Sequence, residues 1–183
     1  MFKKYWKFFV IFWSVVLVGI IGVFVFFWLI SAGKLGFMPT FEELENPNNR
    51  FASEVYFADG PIMNRYFEKE NRKYIEYREI PQSVIDALIA TEDVRFYDHS
   101  GVDVRGLFRV AKGLLTANTS AGGGSTISQQ LAKMLFPRES DLNVFELAIR
   151  KFREWVIAVR LEKSYTKEEI LTMYLNKYDF LNL

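Results

Sequence analysis

Residues 81–103 read PQSVIDALIATEDVRFYDHSGVD, and their periodicity decides how the rest of the chain is read. After Pro81, Ile85, Leu88, Ile89 and Glu92 fall at i, i+3, i+4 and i+7, along one side of a helix. The fourth member of that stripe is an acid. A carboxylate that continues an apolar stripe is expected to face the interior or a cleft, where partial desolvation favours proton uptake and suits a general base. His99 is the chain's only histidine. Without partner histidines it reads as a structural hydrogen-bonding residue, and Phe96 and Tyr97 read as packing.

Upstream, residues 51–80 are β-like. ASEVYFADG ends in an Asp-Gly turn signal, and IMNRYFEKENRKYIEYREI follows with mixed alternation, so two or three short strands are expected. Residues 32–50, rich in Gly, Pro and Asn, read as a connector. Before it lies FFVIFWSVVLVGIIGVFVFFWLIS, residues 8–31, without a charge. As a helix it would span roughly 36 Å, enough to cross a hydrocarbon core. A cleaved signal peptide would carry a shorter apolar region, and no small-x-small site follows. Tyr5, Trp6, Trp13 and Trp28 suit interfacial anchoring. Lys3, Lys4 and Lys7 precede the span, which places residues 1–7 in the cytoplasm and the C-terminal part outside it.

Downstream, helical runs succeed one another: VRGLFRVAKGLL, then STISQQLAKMLF up to Pro137, then FELAIRKFREWVIAVRLEK. Thr166 and Glu169 form a capping box that opens a last helix, KEEILTMYLN. The expected fold is therefore mainly α: one transmembrane helix, a short β segment, then a helical domain over residues 81–183.

Composition excludes several classes. The chain has 23 basic and 22 acidic residues. Residues 1–33 take three lysines and no acid, so the remainder is slightly acidic, and bulk nucleic-acid affinity is not expected. With no cysteine, disulfides, thiolate chemistry and Cys-type zinc sites are excluded.

GGGSTISQQLAK, residues 122–133, has loop glycines, a capping Ser125 or Thr126 and a new helix whose free N–H groups attract an anion, yet it is not a Walker sequence. Taken alone it reads as a flexible loop with an ordinary cap. Arg150, Lys151 and Glu154 read alone as a surface ion pair. Glu92 and Glu154, each with basic neighbours, suit sugar chemistry, where a base deprotonates a hydroxyl and cations hold a phosphate leaving group. Spacing does not say whether the two meet.

The ordered set ATEDVRFYDHSGVD, GGSTISQQLAK, RKFREWVIAVRLE and YTKEEILTMYLN resembles the successive motifs of glycosyltransferase family 51. These are the peptidoglycan glycosyltransferases of class A penicillin-binding proteins and their monofunctional relatives. The resemblance covers roughly residues 50–178. It implies a lysozyme-like helical domain on the outer leaflet that polymerises lipid II into β-1,4 glycan with inversion. It implies Glu92 as the general base, with Asp93, Phe96 and His99 shaping its surroundings and Arg109 near the donor pyrophosphate. Ser125, Gln129, Gln130 and Lys133 match the second motif, whose Lys and Gln contact the donor phosphates. Arg150 and Lys151 match further cationic positions. Glu154 matches a second essential glutamate that organises the pyrophosphate end, directly or through a divalent metal (Mg or Mn); no organic cofactor is implied. Implied partners are lipid II, the growing glycan, membrane lipid and cell-wall synthesis proteins.

Two positions depart from the family's second motif: Met134 stands in place of the usual Asn, and Ser128 in place of the frequent Thr. The chain stops at NKYDFLNL, just after the last motif, so a C-terminally truncated domain without a transpeptidase is the expectation. Two alternatives compete: a lysozyme-like lytic glycosidase, and a non-catalytic membrane-anchored scaffold.

Overall fold

The structure, a computed structural model, describes residues 2–40, 53–66, 73–116, 123–135 and 143–178. Among them are six α-helices and two strands. Part of the flexible loop expected ahead of Ser125, residues 117–122, and the helix stop at Pro137 lie outside the described residues.

The apolar run forms helix α1, Phe2–Ser31, and within it Tyr5–Ser31 is long and apolar enough to cross a membrane. Its end is built into the backbone. Gly33, at φ +70°, donates to Ile30 O at 2.9 Å, and Lys34 N donates to Leu29 O at 3.0 Å. That is a Schellman pair, and its left-handed residue favours glycine.

Strands β1 (Ser53–Tyr56) and β2 (Ile62–Tyr66) pair antiparallel, with a register irregularity at Val55/Tyr56, around the Asp59-Gly60 turn. The remaining helices are α2 (Gln82–Glu92), α3 (Val104–Leu115), α4 (Ile127–Leu135), α5 (Val144–Ser164) and α6 (Lys167–Lys177). This agrees with the mainly α, lysozyme-like expectation. The capping box at α6 is present: Thr166 Oγ1 accepts from Glu169 N, and Thr166 N donates to Glu169 Oε2 at 2.7 Å.

The chain divides into two compact units. One joins residues 1–38 with 142–156, and the other holds residues 39–141 and 157–183. A split at the transmembrane boundary alone does not reproduce this. Phe152, on α5, packs edge-on against Phe26 and Phe27 at ring-centroid distances of 5.3 and 5.7 Å, and against Trp155 at 5.1 Å. Aromatic burial therefore ties the first half of α5 to the end of α1.

The larger unit is built around α4 and α6. Ile127 and Leu131 of α4 and Ile170 and Leu171 of α6 are fully buried, together with Phe96, Ala158 and Leu161. Because α4 is enclosed on nearly every side, its polar residues need internal partners. Ser128 donates to Glu162 Oε1 at 2.5 Å, and Gln129 Nε2 donates to Gly101 O at 3.2 Å. Lys167 Nζ reaches Glu162 Oε1 at 2.8 Å and His99 O at 2.7 Å, above the Phe96 ring.

Candidate active site

The stripe of α2 rises to the surface along its length. Ile85 is buried, Leu88 and Ile89 are half-buried, and Glu92 is exposed. Helical phase sets the side Glu92 faces, and of the interior and a cleft the fold takes the cleft: exposed among the described residues, Glu92 lines a cavity of about 410 Å³. Asp93, Arg95, Asp103, Arg109, Ser125 and Gln130 also line it. The cavity is formed by the end of α2, the start of α3 and the loop into α4.

Glu92 Oε2 accepts a hydrogen bond from Gln130 Nε2 at 2.7 Å. Gln130 Oε1 in turn accepts from the Tyr174 hydroxyl at 3.0 Å. The Tyr174 ring is 1% exposed, and burial followed by the nearby Glu92 charge pushes its hydroxyl's pKa upward, so it stays a proton donor. Tyr174 escaped the sequence reading. One signal was there: it shares a buried stripe with Ile170 and Leu171, and a hydroxyl on such a stripe needs a partner.

Asp93, one residue on, has the opposite fate. It is 7% exposed. Its Oδ2 accepts from Ile127 N, the first amide of α4, at 3.1 Å, and both of its oxygens accept from His99 Nε2 at 3.1 Å. His99 Nδ1 accepts from Gly101 N at 3.3 Å, which fixes the proton on Nε2. His99 therefore makes structural hydrogen bonds.

Thr126 is the residue that caps α4, accepting from Gln129 N at 3.2 Å and donating to Gly101 O at 2.7 Å. The amides expected to await a substrate anion are thus partly spoken for. The carboxylate at this helix N-terminus is the protein's own Asp93.

Gly101 stands at φ +95°, and a Cβ there would lie 2.7 Å from the Ala158 carbonyl carbon. No side chain fits that approach. Arg95 forks onto Asp103 Oδ2, through Nε at 3.1 Å and Nη2 at 2.5 Å, while Asp103 Oδ1 accepts from Gly106 N at 2.9 Å. The Arg95 hydrogen bond, seconded by the Gly106 amide, holds the Asp103 carboxyl below the usual carboxylate range. This pair caps α3 and sets the helix that carries Arg109. Arg109 is exposed and donates to Gly123 O at 3.3 Å.

The cavity therefore gathers Glu92, Asp93, Arg109, Ser125 and Gln130. It does not gather four others of the expected set in this unit, of which His99 is bound to Asp93. Phe96 is completely buried in the core. Gln129, 1% exposed, is turned inward to Gly101. Lys133, exposed in the last turn of α4, is not among the cavity-lining residues.

Arg150, Lys151 and Glu154 belong to the other unit. There the pairing is i,i+3: Lys151 Nζ meets Glu154 Oε2 at 2.9 Å, with Glu154 8% exposed, and Arg150 is not its partner. A single carboxylate facing an ammonium makes a poor cradle for Mg or Mn, which need several oxygen ligands. Among the described residues no three His, Asp or Glu side chains gather for one. The residues present do not fit a metal held by Glu154, and no step is routed through one.

With this geometry in place, comparison with known proteins is specific. The transglycosylase family model matches residues 59–182. Penicillin-binding protein 1A of Escherichia coli K12 is 39% identical over 140 residues, 76% of this chain and 16% of its own length. The Haemophilus influenzae protein of that name is 39% identical over 149 residues, 81% of this chain and 16% of its own. That of Vibrio cholerae is 33% identical over 162 residues, 88% of this chain and 18% of its own. The chain thus spans about one sixth of the length of these relatives. A match over most of the chain, reaching from the strands through the Glu92 cavity to α6, shows that it belongs to the transglycosylase family, glycosyltransferase family 51.

Proposed function

We propose that the chain is a peptidoglycan glycosyltransferase that polymerises lipid II, with inversion, at the outer face of the cytoplasmic membrane. Glu92 is the general base. Its Oε2 is held by Gln130, and Oε1 has no partner among the described residues. Oε1 takes the proton from the acceptor's 4-hydroxyl as that oxygen attacks the donor's C1 from the face opposite the leaving group. The C1–O bond to the pyrophosphate breaks, and the lipid pyrophosphate departs with the electron pair.

One observation carries this reading: of the three carboxylates lining the cavity, only Glu92 is free to act. Asp93 is bound by His99 and Ile127 N, and Asp103 by Arg95 and Gly106 N. A glycosidase of the usual kind needs a second carboxyl as acid or nucleophile. Transfer from a pyrophosphate does not, because the leaving group departs unprotonated when cations meet its charge. Arg109, exposed at the cavity, supplies one such cation. Lys133, Arg150 and Lys151 are proposed as further donor-phosphate contacts. Glu154 then serves by holding the Lys151 ammonium in place. The three lysines at the start of α1, ahead of its apolar run, support the proposed sidedness.

The test is glycan polymerisation by the full chain from labelled lipid II. Glu92→Gln should lower kcat by roughly 1000-fold, in the range of general-base loss, with an unchanged circular dichroism spectrum because the side chain is exposed. Wild-type rates in that variant would reject Glu92 as the base.

A further inference from the structure

From the chain of hydrogen bonds running out of the core, we propose that Tyr174 is a positioning residue for Glu92, acting through Gln130. This rests on the reading of Glu92 as the base. A carboxylate only accepts, so Glu92 Oε2 takes the N–H side of the amide, with Gln130 Nε2 donating at 2.7 Å. That turns Oε1 toward the core, where the Tyr174 hydroxyl donates to it at 3.0 Å. Burial keeps the phenol protonated and so able to make that bond.

The reversed amide would present a carbonyl to a carboxylate, oxygen against oxygen. Tyr174 also anchors the direction of Gln130. Its ring is immobilised on α6, stacked with Tyr178 at a centroid distance of 5.3 Å. A rigid, buried donor thus reaches through one half-buried amide to an exposed acid. The consequence for the reaction is a division of labour on Glu92. Oε2 is reserved for the amide and Oε1 is aimed at the acceptor, in one rotamer, before substrate arrives. Held geometry of this kind acts on the rate of the chemical step more than on binding.

The experiment compares Tyr174→Phe, Gln130→Met, their double variant and Glu92→Gln in lipid II polymerisation, with thermal melts as a folding control. Phenylalanine keeps the buried ring and removes only the donor. Tyr174→Phe should lower kcat about 10-fold and leave KM within about twofold, as expected for lost positioning. The double variant should be no slower than Gln130→Met. A raised KM at constant kcat would make Tyr174 a substrate contact and overturn the proposal, as would additive losses in the double variant.

A second readout needs no turnover. The side-chain amide protons of Gln130, assigned by their disappearance in Gln130→Met, should show one downfield proton in the wild-type NMR spectrum. That resonance should move upfield in Tyr174→Phe; an unmoved resonance overturns the proposal. An active Glu92→Gln enzyme would bring down the reading of Glu92 and this inference with it. An inactive Glu92→Gln beside an undiminished Tyr174→Phe brings down the inference alone.

Discussion

Glu92, at the end of α2, and Glu154, in the middle of α5, are both glutamates on helices with polar neighbours, and the fold treats them in opposite ways. Glu92 is exposed, and the partner the structure gives it is a neutral amide. Glu154 is 8% exposed, and its partner is an ammonium. An amide orients a carboxylate and leaves its charge uncancelled, whereas an ammonium neutralises it. One acid therefore keeps an uncancelled charge at the cavity, and the other is half of an ion pair. Two glutamates alike in sequence are divided by what touches them.

The largest effect that would break this contrast comes from exchanging the roles. Glu154→Gln should cost roughly 100-fold in kcat/KM, less than Glu92→Gln, because it loosens a charge-stabilising contact and leaves the proton acceptor in place. Lys151→Met should match it, and the double variant should be no worse, since the two act as one pair. Equal losses at positions 92 and 154 in kcat, with unequal pairs in the double variants, would erase the distinction.

A smaller effect sharpens it from the other side. Asp93→Asn keeps the size of its side chain and loses the charge that meets His99 and the first amide of α4. The fold should lose about 2 kcal/mol, read from urea unfolding, the order expected when a buried charged acceptor is removed. Activity per folded molecule should fall far less than in Glu92→Gln.

The smallest effect concerns Asp103. Its carboxyl is held below the usual range, first by Arg95. Such a group stabilises the fold fully above its unfolded value near pH 4 and loses that contribution as pH falls through its folded value. The urea midpoint should therefore fall between pH 5 and pH 3, and Arg95→Met should flatten that fall. An equally steep profile in the variant would remove Arg95 as the cause.

How much of this was legible follows from the range of each interaction. The α1 run, the Asp59-Gly60 turn, the limits of α3 and the Thr166–Glu169 box are local, decided by residues within a turn or two. Gln129 and Gln130 show where legibility stops. They are neighbours in one motif, yet the first turns inward to Gly101 and the second outward to Glu92. Their partners lie 28 and 38 residues away, and no period in the sequence encodes that choice. The choice between interior and cleft for Glu92 was open for a related reason. A stripe states which side a residue takes, and only the tertiary fold states whether anything lies over it. Whether Glu154 acts directly or through a metal was also open in the sequence, because spacing does not show that the cation beside it is the protein's own Lys151.

The bare backbone at Gly101 has a consequence for anyone scanning this chain by mutation. Its carbonyl receives both Thr126 and Gln129, and its α-carbon lies against Ala158. Even a methyl group there would lever the start of α4 outward and drag Gln130 from its acid. A screen that scores only product would file position 101 beside the reacting groups. It touches none of them, and a count of folded molecules is what would tell a broken frame from a broken tool.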